Sequence, residues 1–395
     1  MPDIETFDNY YILDGFRFPV TKELGGMVED MSKSDYWGNY RLKQTYFPDN
    51  AVLSHSIDMY SNSREETGMT YFHAIASEPR MFTTKGLEIF RTTWSGAYFK
   101  EAQKWGEEEI TKLGELKESV QKSKILEEVA SAVALMDRRM KRRLEWLAAQ
   151  VITTGKIEVT SDLTDNPERV NYSVDFRLKD PWITLLPEQK WDHKDANGNY
   201  DADIVKFFWD LTQARTENTG PYNNKWSQYL PEKLLMNQYT FRILAQNKKI
   251  YDYMLQMSPN RQDTQDFTPF LMFNGFAETF KKFTGIEIEI YDEGYYEDVN
   301  GGLGAFKKFI PNGHVTMFNR GPRSLAEFTY TAHAHGGGDG KGIRVGTGRF
   351  LLAEDMTHKA NPYYQVVHGF HGLPRLLDYD TDHYCYRMNF INVLT

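Results

Sequence analysis

The sequence predicts an α+β fold in which a long helix runs directly into β-sheet. Apolar residues recur every three or four positions between Glu107 and Ile152, which is the spacing of one face of a helix. Gly155 follows this run and suits a left-handed helix cap, and residues 156–159 (KIEV) then alternate as a strand does. Short alternating segments and further helical segments fill the rest of the chain, so helix and sheet are both expected.

The bulk composition is that of a globular protein with a large core. The chain has 395 residues, 41% of them hydrophobic, which allows two or more subdomains. Its 46 basic and 55 acidic residues give a net charge of −9, which disfavours a dedicated nucleic-acid binder. The sequence has no apolar run of about 18 residues and no signal-peptide pattern at its start, so neither a membrane span nor secretion is expected. The single cysteine, Cys385, excludes an intrachain disulfide, fits a reducing cytoplasm and is expected to be buried rather than catalytic.

The first hundred residues predict two extensions with little core of their own. Residues 1–50 lack clean periodicity and read as an extended arm with room for one short helix. Residues 51–100 contain two strand-like limbs around a charged, glycine-containing tip, which predicts a long hairpin. Because a two-stranded hairpin is only marginally stable alone, we expect it to rest on another surface, which can belong to a neighbouring molecule.

The long helix carries a basic block opposite its apolar face. The block consists of Arg138, Arg139, Lys141, Arg142 and Arg143. One interpretation is contact with the phosphate backbone of a nucleic acid. The other is a solvated face, or one paired with acidic residues of the same chain or a neighbour, and the negative net charge favours it. The apolar face is formed by Val129, Val133, Met136, Met140, Leu144, Leu147 and Val151.

The second half of the chain predicts a mixed α/β region followed by closing strands. Asp201 is a candidate N-cap of a helix whose apolar face includes Phe207 and Phe208. A further helix is expected to end at Gly285, and the run IEIEIYDEGYY after it alternates as one strand. The Asn-Gly pair within FIPNGHVTMFN predicts a hairpin, and two C-terminal strands are expected around a turn near 378–382.

The most glycine-rich segment begins at His333 and is predicted to be a loop. His333, His335 and Asp339 could ligate a metal, but metal sites need three or four ligands and no second cluster has ligand spacing. Lys341 is followed by glycine rather than by Ser or Thr, so a phosphate loop is not indicated. No nucleophile elbow is present either. A metal-dependent hydrolase therefore stays as an alternative and not as the main interpretation.

The order of elements resembles the major capsid proteins of tailed bacteriophages, whose fold is named for phage HK97. More narrowly, it is similar to the family of the phage lambda major capsid protein. Segment 142–159 resembles the end of that family's spine helix and its following strand, and segment 86–101 the returning limb of its extended loop. Segment 285–319 resembles an outer-domain strand, insertion and hairpin. The resemblance spans roughly residues 50 to 390, and the His-rich stretch between Pro362 and Pro374 departs from the family pattern.

The resemblance implies an HK97-like capsid fold with a peripheral (P) domain and an axial (A) domain. The expected divisions are 1–50 as the N-terminal arm, 51–100 as the extended loop, 101–195 as the spine helix and first part of the P domain, 196–345 as the A domain, and 346–395 as the closing strands of the P domain. Segment 215–265 is longer than the family pattern, which leaves the domain edges there open.

The function that the resemblance implies is that of a major capsid protein, not an enzyme, with no cofactor and no metal ion. Copies would assemble as hexamers and pentamers into an icosahedral shell that encloses double-stranded DNA without binding it specifically, within the host bacterial cytoplasm and then in the virion. Scaffolding, portal and decoration proteins are further candidate partners. A nucleic-acid-binding module using 138–143 is the second alternative. The candidate assembly contacts are Arg138, Arg139, Arg142, Arg143, Trp94 and Tyr98.

Overall fold

The structure is a computed structural model, and the chain divides into two compact units. The first unit comprises residues 1–58, 93–148 and 326–375, and the second comprises 59–92, 149–325 and 376–395. The residues that the structure describes are 6–7, 10–13, 16–19, 40–62, 89–114, 118–159, 171–176, 178, 181–216, 231–257, 269–299, 302–319, 326–336, 343–355, 363–377 and 388–395.

The described elements alternate between strand and helix along the chain. As far as Thr154, they are β1 (Thr6–Phe7), β2 (Tyr10–Leu13), β3 (Phe16–Pro19), α1 (Leu42–Tyr46), β4 (Asp49–Val52), β5 (Ser56–Asn62), β6 (Ile89–Ser95), β7 (Ala97–Trp105), α2 (Glu107–Gly114) and α3 (Glu118–Thr154). The next are β8 (Lys156–Val159), β9 (Tyr172–Asp175), β10 (Trp182–Ile183), α4 (Ile204–Thr216), β11 (Pro231–Met236), α5 (Gln238–Ala245), α6 (Lys248–Met257) and α7 (Pro269–Thr284). The last are β12 (Glu287–Ile290), β13 (Gly294–Val299), β14 (Gly302–Lys308), β15 (His314–Asn319), β16 (Ala326–Thr331), β17 (His333–Gly336), β18 (Ile343–Gly346), β19 (Arg349–Asp355), β20 (Tyr364–Leu376) and β21 (Met388–Asn392).

The first unit is built on a sheet with the order β19–β20–β16–β4, and β7 pairs with β20 as well. Strand β7 runs antiparallel to β20 from Trp105, opposite Tyr364, to Ala97, opposite Gly372. The short edge strand β4 lies parallel to β16, with Asp49 opposite Phe328. Helix α3 packs on this sheet through one apolar cluster, which contains Trp105, Ile110, Ile125, Val129, Val133, Met136, Ala353, Tyr364 and Val366.

Helix α3 confirms the predicted apolar face and the predicted end. All seven predicted face residues, from Val129 to Val151, are at most 5% exposed. Thr153 and Thr154 donate their hydroxyls to Ala149 and Gln150 carbonyls, and Gly155 adopts a positive φ of 68°. Strand β8 follows at once and pairs antiparallel with β9, so the junction of helix and sheet is as the sequence predicts.

The second unit is organised around a five-stranded sheet with the order β10–β21–β15–β11–β12. Helices α4 to α7 contribute aromatic residues to its core, including Phe208, Phe241, Phe276 and Phe280. Its edge strand β12 lies parallel to β11. The edge carries charge, since Lys233 binds Glu289 at 3.1 Å and Lys281 binds Glu287 at 2.9 Å.

Several local predictions are wrong in their details. Helix α4 begins later than expected, so Asp203 accepts from the Lys206 backbone N–H, and Asp201 instead bonds His193 at 2.6 Å. The run after Gly285 forms two strands, β12 and β13, rather than one. The Asn-Gly turn is present, with Gly313 at φ 78°, but β14 and β15 on its two sides belong to different sheets. The closing strands β20 and β21 also belong to different sheets.

The arm and the glycine-rich segment contain more regular structure than predicted. The tip of the hairpin lies outside the described residues. The arm has a small antiparallel sheet, β1–β2–β3, besides the short helix α1. Strands β5 and β6 pair as the predicted hairpin, whose tip at 63–88 lies outside the described residues. The segment from His333 is not a plain loop, because β17 and β18 form an antiparallel pair. Cys385 and the predicted turn at 378–382 also lie outside the described part.

Two glycines at helix ends allow a controlled test of how tightly the chain packs at the end of the spine helix. Gly155 and Gly285 both follow a helix at positive φ, 68° and 76°. A Cβ at Gly155 would lie 2.6 Å from Leu178 Cδ1, whereas a Cβ at Gly285 would meet nothing within 4 Å. We expect Gly285→Ala to lower the free energy of unfolding by about 1–2 kcal/mol through backbone strain alone. Gly155→Ala should cost about 1–3 kcal/mol more, because an overpacked site adds to that strain. Equal losses in urea titrations of the two variants would contradict this account.

Candidate functional site: the spine helix and the hairpin foot

The basic block on helix α3 is engaged by acidic residues of the first unit. Arg139 forms an ion pair with Glu101 of β7. Lys141 binds Asp137 one turn earlier at 2.9 Å, and Arg349 of β19 reaches the same carboxylate at 3.2 Å. Asp137 is fully buried, so these two cations compensate a charge that water cannot reach. Part of the block therefore serves the fold of its own chain.

The next two arginines of the block contact aromatic side chains. Arg142 donates its Nε–H to the Tyr40 hydroxyl at 3.1 Å. The Arg143 guanidinium lies 5.5 Å from the Phe99 ring centre and 5.0 Å from that of Trp146, which is cation–π distance. These contacts bury the stems of both side chains and join the helix to the arm and to β7.

The buried carboxylate of Glu145 fixes the arm to the spine helix. Its two oxygens accept the backbone N–H groups of Leu42 at 2.8 Å and Lys43 at 3.0 Å, at the start of α1. Lys43 in turn pairs with Asp49, and its ammonium lies 5.6 Å from the Phe328 ring centre. Leu42 is fully buried. Residues 40–52 therefore lie on the spine helix and on β16 of the same chain.

The candidate residues Trp94 and Tyr98 lie on the two strands that meet at Gly96, at the foot of the long hairpin. Trp94 is partly buried on β6, and Tyr98 on β7 is 51% exposed. The Tyr98 ring stacks on Phe350 at 6.2 Å and meets the edge of the His371 ring at 5.6 Å. An exposed aromatic ring that is held rigid by two neighbours can be buried by a partner at low entropic cost.

His371 ties the hairpin foot to the central sheet. Its Nε2 lies 3.0 Å from the Gly96 carbonyl oxygen, and its Nδ1 lies 2.8 Å from the Thr331 hydroxyl. The approach is close, because a Cβ at Gly96 would lie 2.6 Å from Thr331 Oγ1. The exposed His55 ring packs on His371 at 4.8 Å. Both limbs of the hairpin are thus anchored by one buried imidazole.

Two of the three residues of the predicted metal site lie in the described part of the chain. His333 is buried in β17, with its ring 4.5 Å from Phe350. His335 lies on the same strand, and Asp339 lies outside the described residues. Over the part of the chain that the structure describes, no three His, Cys, Asp or Glu residues are grouped to hold a metal ion.

The described residues match known capsid proteins. Residues 39–336 match the family model of phage major capsid protein E. Similar solved structures include a prophage protein of E. coli CFT073 assigned as a capsid protein, at 11% identity and TM-score 0.49, with 95% of this chain and 99% of that chain covered. Another is a phage-related protein from Bordetella bronchiseptica RB50, at 11% identity and TM-score 0.45, with 95% and 97% covered. The capsid of Myoviridae phage XM1 matches at 13% identity and TM-score 0.37, with 91% and 94% covered.

The protein is a shell-forming coat protein, and its fold is mixed α+β as the sequence predicts. The chain belongs to the phage major capsid protein E family, whose model matches most of its length.

Among the described helices, none is both long enough and apolar enough to cross a membrane. The sequence pattern alone does not single out Asp137 or Glu145. Asp137 follows Val133 by four positions, and Glu145 lies between Leu144 and Leu147, so both lie on or beside the apolar face.

Replacement of Glu145 should release the arm from the spine helix. Glu145→Gln keeps the shape of the side chain but removes the charge that two backbone N–H groups donate to. Hydrogen bonds to a charged group contribute about 1.5–3 kcal/mol, so we expect a loss of about 2–3 kcal/mol in the free energy of unfolding. Hydrogen exchange should speed up at the Leu42 and Lys43 amides. Glu127→Gln, an exposed change on the same helix, is the control, and unchanged exchange in Glu145→Gln would refute the role.

Acid should destabilise the first unit through His368. The pKa of His368 is lowered to about 4, mainly by burial, with Asp137 opposing the shift and Arg349 and Lys141 adding to it. The unfolded chain takes up this proton near pH 6.5. Stability is therefore lost as the pH falls from about 6.5 to about 4, by at most about 3 kcal/mol. We expect His368→Gln to flatten this part of the stability–pH curve, measured by denaturant titration. An unchanged curve would contradict the prediction.

Proposed function

We propose that copies of this chain assemble as hexamers and pentamers into an icosahedral phage head that encloses double-stranded DNA. The observation that carries this proposal is the match of residues 39–336 to a family of phage major capsid proteins. Assembly in the host bacterial cytoplasm, and scaffolding, portal and decoration proteins as partners, belong to the same proposal. The first unit then corresponds largely to the P domain and the second to the A domain, with residues 51–100 as the extended loop.

The long hairpin supports assembly through contacts between copies. Strands β5 and β6 form a sheet of two strands, to which no other described strand adds. Such a sheet is only marginally stable by itself. Its foot is fixed by the contact between His371 and the Gly96 carbonyl oxygen. A neighbouring copy is the surface that would complete the hairpin in a closed shell.

The charge distribution supports a container that does not bind its DNA specifically. The net charge of the chain is −9. Within the basic block, Arg139 pairs with Glu101 and Lys141 with Asp137, which reduces the positive field that phosphate contacts require. The nucleic-acid-binding alternative therefore gains no support from the described residues. A shell that held DNA tightly would also oppose packaging and release.

The assembly contacts are proposed to include Tyr98 and Trp94 at the hairpin foot, with Arg138, Arg139, Arg142 and Arg143 on the spine helix. Tyr98 is the best candidate for direct contact, because half of its ring is exposed while the ring position is fixed. The arginines have strong contacts within their own chain, so their replacement should affect folding together with assembly.

Assembly can be tested by expressing the chain alone and with its neighbouring genes, followed by negative-stain electron microscopy. We expect closed particles from the unaltered chain. Tyr98→Ala should lower the particle yield several-fold with little change in Tm, because the ring is half exposed and packs on only two neighbours. Tyr239→Ala is the matched control, since Tyr239 is 49% exposed on α5. No closed particles under any condition, or strong salt-sensitive DNA binding by isolated subunits, would contradict the proposed function.

A further inference from the structure

Hairpin β13–β14 in the second unit carries an apolar face that the described part of the chain leaves exposed. Tyr296 and Phe306 lie directly opposite each other, with ring centres 5.2 Å apart. They are 50% and 48% exposed, and Leu303 nearby is 82% exposed. Aromatic residues and leucine at such exposure, side by side, form a patch rather than a scattered set.

A β-bulge places Leu303 on the same face as the two aromatic rings. Pairing steps from Tyr296 opposite Phe306 to Asp298 opposite Leu303, so β14 uses three residues where β13 uses two. In a regular strand, residues three apart point to opposite faces. The extra residue in β14 restores Leu303 to the face shared with Tyr296. Without the bulge, Leu303 would lie on the other side of the hairpin and the apolar face would be smaller.

The opposite face of the hairpin is partly covered by its own unit. Tyr295 packs on Phe309 at 5.5 Å between ring centres, and Lys307 pairs with Glu297. On the face of Phe306, Lys308 pairs with Asp292 at 2.6 Å. The hairpin therefore rests on its own unit by one side and presents Tyr296, Phe306 and Leu303 on the other.

We infer that the face formed by Tyr296, Phe306 and Leu303 is a contact surface for a second copy of this chain. The exposed parts of these three side chains amount to roughly 300–400 Å². That is about half of what one partner contributes to a stable pairwise interface, near 800 Å². A separate partner protein would not be held by it, whereas a subunit of a closed ring can use it together with its other contacts. The inference rests on the proposed shell-forming function and names one surface by which its copies meet.

The test places a photo-crosslinking amino acid at position 303 in the full chain, with the same label at position 186 as control. Leu186 is also an exposed leucine of the second unit, at 55%, and lies outside the hairpin. We expect irradiation of expressing cells to give covalent multimers of this chain from position 303, at least five times more than from 186. Crosslinks only to other proteins, or equal yields from both positions, would overturn the inference. Multimers without closed particles would support this surface while contradicting the proposed shell.

A pair of substitutions gives an independent measure. Leu303→Asp puts a charge in the proposed contact, and we expect at least a tenfold lower yield of sedimenting particles with Tm unchanged, because the residue makes few contacts in its own unit. Leu186→Asp is the matched control and should assemble as the unaltered chain does. Leu303→Ser should give an intermediate yield. Normal assembly of Leu303→Asp, or the same loss in both aspartate variants, would refute the proposed contact.

Discussion

Two carboxylates buried on one helix, Asp137 and Glu145, determine how the first unit is put together. Neither can stay charged in the interior unless other groups compensate it, because an uncompensated buried charge costs several kcal/mol. Asp137 forms ion pairs with Lys141 and Arg349, and the pair with Arg349 joins the spine helix to β19. Glu145 accepts hydrogen bonds from the backbone N–H groups of Leu42 and Lys43, and these bonds join the helix to the arm. The arm, the helix and the sheet are thus held by charge balance as well as by apolar packing.

The same charge balance explains the basic block. Five cations between 138 and 143 would be a strong phosphate-binding surface if they faced solvent without partners. In the described structure, two of them pair with carboxylates and two with aromatic or hydroxyl groups of the same unit. The basic block therefore stabilises the fold of its own chain.

The sequence predicts the long-range architecture better than the local detail. The seven face residues of α3, its end at Gly155 and the following strand were all predictable, since a 3.6-residue period over many turns is a strong signal. The helix cap at Asp203 was assigned two residues early, because two aspartates precede the same apolar run. Likewise, an Asn-Gly turn predicts a reversal of the chain and not whether its flanking strands pair with each other.

The candidate site was only partly predictable for a physical reason. Arginines in a block are visible in the sequence, but their partners lie on other elements of the chain, such as Tyr40 for Arg142 and Glu101 for Arg139. The hairpin foot depends on His371, which contacts Gly96 across 275 positions. The bulge that turns Leu303 is a property of strand pairing, and no period of single residues reveals it. A site formed by residues that are far apart in the sequence can be identified only once the fold is known.

The charged edge strand β12 has a consequence for how copies of the protein can associate. An open sheet edge exposes backbone donors and acceptors to any extended chain nearby, and crowded nascent polypeptides would join there and precipitate. Glu287 and Glu289, tied to Lys281 and Lys233, make such an addition unfavourable along this border. Growth of an aggregate by backbone addition is thus discouraged, and subunits remain available for ordered association through their side chains.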